Sequence, residues 1–108
     1  MSHGAAGYTT AKHGVIGLMR YYATSLAEKS IRVNTVHPSG VATRMIVNEP
    51  TQEFTAAHPE FVASQQNLLP VALIEPESIS DTMVYLCAPS GRYIMGVTLP
   101  VDAGLVVR

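Results

Sequence analysis

The sequence has one cysteine, no run of like charges and no apolar stretch approaching the ~20 residues that cross a bilayer. A lone thiol, Cys87, excludes an internal disulfide, and its place in an apolar helical pattern reads as a packed thiol in a reducing cytoplasm. Seven basic residues against eight acidic ones leave a formal charge of −1. With no basic stripe to track phosphates or anionic lipid, neither nucleic acid nor a membrane surface is an expected partner. The opening segment, MSHGAAGYTTAKHG, lacks the charged-then-apolar layout of a signal peptide. His3, His13, His37 and His58 are spaced neither as a helical pair on one face nor as part of a Cys/His site, so no metal is expected. A glycine-rich turn between a strand and a helix, the usual cradle for a pyrophosphate, is missing too. Gly4, Gly7, Gly14 and Gly17 instead precede or lie within a helical pattern, and read as loop and close-packing positions.

What is present is a chain of 108 residues, 47% hydrophobic and 14% charged, which fits one globular domain over residues 1–108. From Thr9 to Glu28 there is no proline, and Val15, Leu18, Tyr22 and Leu26 recur at intervals of three and four as the apolar stripe of a helix. Ile16, Met19 and Ala23 make a second stripe, leaving a narrow polar strip around His13, Arg20, Thr24 and Glu28. Such a helix expects cover on two sides, a sheet on one and another subunit on the other. Ile31 to Val36 is short, rich in β-branched residues and stopped by Pro38 and Gly40, which predicts a strand. Pro50, Pro59 and Pro70 divide the stretch from Arg44 to Pro70 into short helices, read as a mobile flap. Pro76 and Glu77 start a helix whose buried face is predicted at Ile79, Met83, Leu86 and Cys87. Pro89, Ser90 and Gly91 end it. Val97, Leu99 and Val101 then alternate with Thr98, Pro100 and Asp102 as a last strand, at a sheet edge because Pro100 cannot donate to a ladder. The order of elements predicts an α/β fold with a parallel sheet.

Tyr8 and Lys12 stand four residues apart, so on a helix both side chains emerge on the same face, one turn apart. An ammonium ~4 Å from a phenolate, at an effective dielectric of ~20, stabilises it by roughly 4 kcal/mol, enough to let a phenol work as acid or base. Any solvated helix can carry this spacing, so by itself it selects no chemistry. The surrounding segments do more. GAAGYTTAKHGVIGLMR, the run IRVNTV followed directly by HPSGVATRM, then EPESISDTMVYLCAPSGRYIMG and finally LPVDAG together resemble, in order and spacing, the short-chain dehydrogenase/reductase family. The resemblance covers nearly the whole chain and is weakest from Arg44 to Pro70. The wording HPSGVAT is similar to an actinobacterial, carveol-dehydrogenase-like (mycofactocin-coupled) subgroup that acts on secondary alcohols such as terpenols.

The resemblance implies the C-terminal part of a Rossmann-like, doubly wound parallel sheet. It also implies NAD(P)-dependent hydride transfer between a nicotinamide cofactor and a small secondary alcohol or ketone. Tyr8 would then be the catalytic proton donor or acceptor, with Lys12 supporting it and hydrogen-bonding the nicotinamide ribose. Pro38, Gly40, Val41 and Thr43 would form the cofactor loop, with the Val41 backbone and the Thr43 hydroxyl directed at the carboxamide and a nearby phosphate. Ser39 stands where the family usually has glycine. The cofactor expected is NAD or NADP, with NAD preferred, and the complete protein is expected to be a dimer or tetramer built through the long helix and the last strand. The family's glycine-rich turn has no counterpart here, and its catalytic serine lies farther ahead of the tyrosine than Ser2 does. The chain therefore reads as a partial domain, inactive by itself. The alternative is a noncatalytic subunit or interaction module whose Thr9–Glu28 helix pairs with a full-length relative. One edge of the Ile31–Val36 strand is left open, which predicts that the isolated chain is not a stable monomer.

Overall fold

A computed structural model describes residues 6–107, so Ser2, His3 and Gly4 lie outside the described residues. Helix α1 spans Ala6–Leu26, beginning ahead of the predicted Thr9. A 3-10 turn at Ala27–Lys29 follows, and Ser30, at φ 57°, takes the left-handed conformation that closes a helix. The Ser30 N–H donates to the Ala27 carbonyl at 2.9 Å and the Ile31 N–H to that of Leu26 at 3.4 Å.

Strand β1, Thr35–Pro38, runs parallel to β2, Thr98–Val101, in a register that pairs Thr35 with Thr98 and Pro38 with Val101. It starts later than the predicted Ile31–Val36: ahead of it the Gly96 N–H donates to the Val33 carbonyl at 2.9 Å and side chains supply further cross-links. Arg32 Nη1 donates to the carbonyls of Leu86, Gly91 and Ile94 at 2.6, 3.0 and 3.4 Å. Asn34 donates through Nδ2 to the Ile94 carbonyl at 3.0 Å and accepts the Val97 N–H on Oδ1 at 3.1 Å. Along the ladder, Thr35 N–H donates to Val97 O at 3.0 Å and Ser39 N–H to Val101 O at 3.4 Å. Alternation then turns the backbone groups of Val36 and Pro38 on β1, and of Thr98 and Pro100 on β2, away from the partner strand. Pro100 is thus at an edge, as predicted, and Pro38 occupies the same kind of position on the opposite margin.

The flap between the strands contains α2, Glu49–Ala57, and α3, Pro59–Ser64, with a proline in the first turn of each as the spacing predicts. Asn48 caps α2, its Oδ1 accepting the Thr51 N–H at 2.9 Å. Phe54 stacks on His58 at 4.3 Å between centroids and meets Phe61 edge-on at 5.4 Å, which fixes the joint between the two helices. Helix α4, Pro76–Cys87, completes the crossover.

The core is small: among the described residues Met19, Ala23, Ile74 and Leu86 are the buried hydrophobics. On α1 the second stripe is the covered one, while Val15, Leu18 and Tyr22 of the first stay exposed, so the chain itself supplies cover on one side only. On α4 the inward face runs through Ile79, Thr82 and Leu86, again three and four apart. That face is rotated slightly from the predicted one and leaves Met83 and Cys87 outside. Cys87 is therefore an exposed thiol and not a packed one. The close-packing reading of the helical glycines is corrected as well. A Cβ added at Gly7, Gly14 or Gly17 would meet nothing within 4 Å, because those positions lie on uncovered parts of α1.

Candidate active site

Tyr8 and Lys12 fall in the first turns of α1 with the predicted one-turn offset. The Lys12 ammonium stands 5.4 Å from the centroid of the Tyr8 ring, a cation–π distance. Neighbouring side chains fold back on the helix: Thr10 Oγ1 donates to the Ala6 carbonyl at 2.8 Å, and His13 Nδ1 lies 2.9 Å from the Thr9 carbonyl. Tyr8 is left 62% exposed.

Ile16 continues the same face one turn further. It lines a cleft of about 300 Å³ together with His37, Pro38 and Ser39 at the carboxyl end of β1. The Tyr8–Lys12–Ile16 stripe therefore runs onto the strand end where open α/β sheets take their ligands. His37 is engaged there by Thr35, Nε2 to Oγ1 at 2.8 Å.

Of the predicted cofactor residues, Pro38 ends β1 and Gly40, Val41 and Thr43 lie in the loop that leaves it, while Lys12 stands apart on α1. Ile74 donates its N–H to the Gly40 carbonyl at 2.9 Å, and its own carbonyl accepts the Ala42 N–H at 2.9 Å. Gripped on both sides, Val41 turns its N–H and C=O away from Ile74. The Thr43 N–H folds back to the Val41 carbonyl at 2.7 Å, leaving the Thr43 side chain exposed. A Cβ at Gly40 would come 2.9 Å from Leu73 Cδ2, the tip of a side chain that would have to move aside. No hydrogen bond or ring contact joins Tyr8 or Lys12 to this loop among the described residues, and Ile16 is the link between the two groups.

Two contributors escaped the sequence reading. Ile74 looks like an ordinary apolar residue before Pro76, and nothing local marks it as the clamp on the loop. Asp102 accepts the Gly104 N–H on Oδ1 and the Val106 N–H on Oδ2, each at 3.0 Å, and so holds the C-terminal turn beside the Ile16 cleft. The Asp-Ala-Gly order at 102–104 is the signal that could have found it, as an aspartate bonding the backbone two residues on.

Residues 1–106 match the family described as Enoyl-(Acyl carrier protein) reductase. An uncharacterized oxidoreductase of Mycobacterium tuberculosis is 51% identical over 104 residues, covering 95% of this chain and 38% of its own length. The (−)-trans-carveol dehydrogenase of Rhodococcus erythropolis is 38% identical over 109 residues, covering 94% of this chain and 39% of its own. The crystal structure of carveol dehydrogenase from Mycobacterium avium in complex with NAD superposes on the whole chain with a TM-score of 0.85 at 37% identity, and 42% of that protein is covered. The chain thus spans well under half the length of these relatives.

Proposed function

We propose, because the chain belongs to the short-chain dehydrogenase/reductase family, that it carries the catalytic and nicotinamide-facing part of an NAD(P)-dependent oxidoreductase. The reaction interconverts a secondary alcohol and its ketone. The observation that carries this reading is the continuous stripe from Tyr8 through Lys12 and Ile16 to the strand end where the Val41 loop begins. The outward N–H of Val41 suits the carboxamide oxygen, and its C=O, already accepting the Thr43 N–H, keeps a second lone pair for the carboxamide NH₂. The exposed Thr43 hydroxyl suits a phosphate oxygen. When bound, the nicotinamide gives up or takes the hydride. The Tyr8 hydroxyl donates its proton to the carbonyl oxygen during reduction and recovers it during alcohol oxidation. Lys12, one turn on, holds a ribose hydroxyl and balances negative charge on the phenol oxygen. The NAD complex of the Mycobacterium avium carveol dehydrogenase favours NAD over NADP, and the carveol relatives favour an apolar cyclic alcohol as substrate.

The cofactor loop is tested in a chimera in which this chain replaces the aligned 109-residue segment of the Rhodococcus enzyme. Val41→Pro removes the N–H assigned to the carboxamide, and NADH titration followed by nicotinamide fluorescence is expected to give about tenfold weaker binding. Unchanged affinity would take Val41 out of the site.

The same reading places the chain in a homo-oligomer, or in the noncatalytic alternative against a full-length relative. A compact protein of this mass exposes about 5,800 Å², whereas this chain exposes 8043 Å². The excess is surface that a second copy, or the remainder of a full-length relative's fold, would cover. Leu18, Tyr21 and Tyr22 on α1 and Val84 on α4 contribute to it, each at least 47% exposed. Sedimentation of the purified chain is expected to show dimers or larger species; a monomer with a sharp, reversible thermal transition would contradict this.

A further inference from the structure

Between the flap helices and the segment 69–73 lies a cleft of about 620 Å³, within the range of small-molecule sites. Thr55, Phe61 and Val62 line it from α2 and α3, and every residue of 69–73 lines it from the other side. This second wall is a strap hung between two anchors. At one end Ile74 is bonded to the cofactor loop through Gly40 and Ala42, each at 2.9 Å. At the other the Leu69 N–H donates to the Ala103 carbonyl at 3.0 Å. Between them the Val71 N–H bonds the Leu69 carbonyl at 2.7 Å and Asn67 Nδ2 bonds the Val71 carbonyl at 2.9 Å, so the strap is braced and its place is set by its anchors. The second anchor is a turn in which Ala103 and Gly104 both have positive φ, 51° and 85°. Asp102 holds that turn through the N–H groups of Gly104 and Val106. Leu68 closes on Gly104 so nearly that an added Cβ would come 2.9 Å from Leu68 Cβ, 3.2 Å from its Cδ1 and 3.3 Å from its Cγ. Leu68 Cβ is joined directly to the backbone and cannot swing aside as a side-chain tip can, so the chain next to Leu69 would have to shift.

We infer that Gly104 and Leu68 are positioning residues for this cleft: their contact fixes the Leu69 end of the strap, and with it the wall that a ligand meets. Leu69 lines the cleft, and the pair acts through it. In one respect this rests on the oxidoreductase reading: the loop at the other end of the strap is the cofactor loop, which makes the occupant the apolar alcohol or ketone of that reaction. A gap of about 0.5–1 Å forfeits a quarter to a half of a dispersion contact, so a small displacement of an apolar wall is enough to weaken an apolar ligand. Leu68 is itself 58% exposed, so its contact with Gly104 places the strap more than it builds the core.

Carveol is the probe, titrated by NMR into the 108-residue chain, without nucleotide, in whatever assembly it purifies, with the amide signals of Leu69, Val71, Ala72 and Leu73 as the readout. Gly104→Ala is expected to weaken binding about tenfold. Gly96→Ala imposes the same kind of backbone strain, at φ 71°, but its added Cβ meets Ala23 Cβ at an ordinary 3.9 Å. Its affinity is expected to stay within about twofold of the parent, which separates the Leu68 contact from strain and general loss of stability. Leu68→Ala alone is expected to weaken binding about threefold, and Gly104→Ala added to it to cost less than about a further twofold, because the clash has gone. No binding of carveol at these amides, unchanged affinity in Leu68→Ala, or equal losses from Gly104→Ala and Gly96→Ala overturns the inference. A Gly104→Ala cost that persists undiminished when residue 68 is alanine overturns it as well. Where Gly104→Ala does not fold, Leu68→Ala decides alone. With no nucleotide in the experiment, a failure of the NADH reading leaves these outcomes unaffected.

Discussion

Tyr8→Phe in the chimera with the Rhodococcus enzyme is expected to lower kcat by 10²–10⁴-fold, the usual worth of a positioned general acid or base, while NADH affinity stays within about twofold. The asymmetry follows from geometry. The aromatic ring that receives the Lys12 ammonium at 5.4 Å is kept in the variant, so the local packing and the charge of α1 are preserved. What is removed is the hydroxyl that, in the proposed reading, would hand a proton to the substrate oxygen, and the nearby Thr10 hydroxyl is already turned to the Ala6 carbonyl. Lys12→Met, by contrast, is expected to weaken NADH binding as well as turnover, because in the proposed reading the ammonium would serve both the ribose and the phenol oxygen. Steady-state kinetics with carveol, measured beside the NADH titration, separates the two patterns. A Tyr8→Phe chimera that kept more than a tenth of the parent rate would remove Tyr8 from the proton transfer.

Arg32→Met is expected to be the most destabilising single change outside the site, at about 3 kcal/mol, or a fall of about 15 °C in Tm for a chain of this size. One guanidinium nitrogen holds three carbonyls, those of Leu86, Gly91 and Ile94, that belong to the end of α4 and the turn after it. Helix ends leave carbonyls without partners, and a cation there satisfies them while opposing the helix dipole. Methionine fills similar space but leaves the Leu86 carbonyl without its donor in a half-buried place and removes the cation from all three, although Gly91 keeps the Ile94 N–H and Ile94 keeps Asn34. The loss should reach the site indirectly, since Asn34 reads the same Ile94 carbonyl and sets where β1 begins. Arg32→Lys keeps a cation and should fall between the two. Calorimetry checks the order; an Arg32→Met chain that melts within about 3 °C of the parent would refute the account.

Much of this fold was legible in the chain. The prolines at 50, 59 and 76 marked three helix starts, and Pro100 marked an edge, because proline's missing donor and fixed φ act locally and leave a mark at the position itself. The pairing of Tyr8 with Lys12 was legible for the same reason, helical spacing being a local quantity. What could not be read depends on partners distant in sequence. Periodicity drew two stripes on α1 with equal force, and only the tertiary arrangement buries Met19 and Ala23 while leaving Leu18 and Tyr22 bare. Likewise it is a small rotation of α4 that hides Leu86 and exposes Cys87. The start of β1 was misplaced because Arg32 and Asn34 look like ladder residues in sequence, yet their side chains reach about 60 positions away. Ile74, which orients Val41, was invisible for the same reason.

The prolines on the two margins of the sheet have a consequence for solubility. Each four-residue strand turns one N–H outward, at Val36 or at Thr98, and then presents a ring where the next donor would be. Filaments that grow by adding strands need an unbroken row of donors and acceptors on at least one side, and neither side here provides one. The bare helix faces can still draw copies together, but such contacts are used up once they pair. Crowding of this chain should therefore end in finite, countable particles, with fibrous aggregates blocked at Pro38 and Pro100.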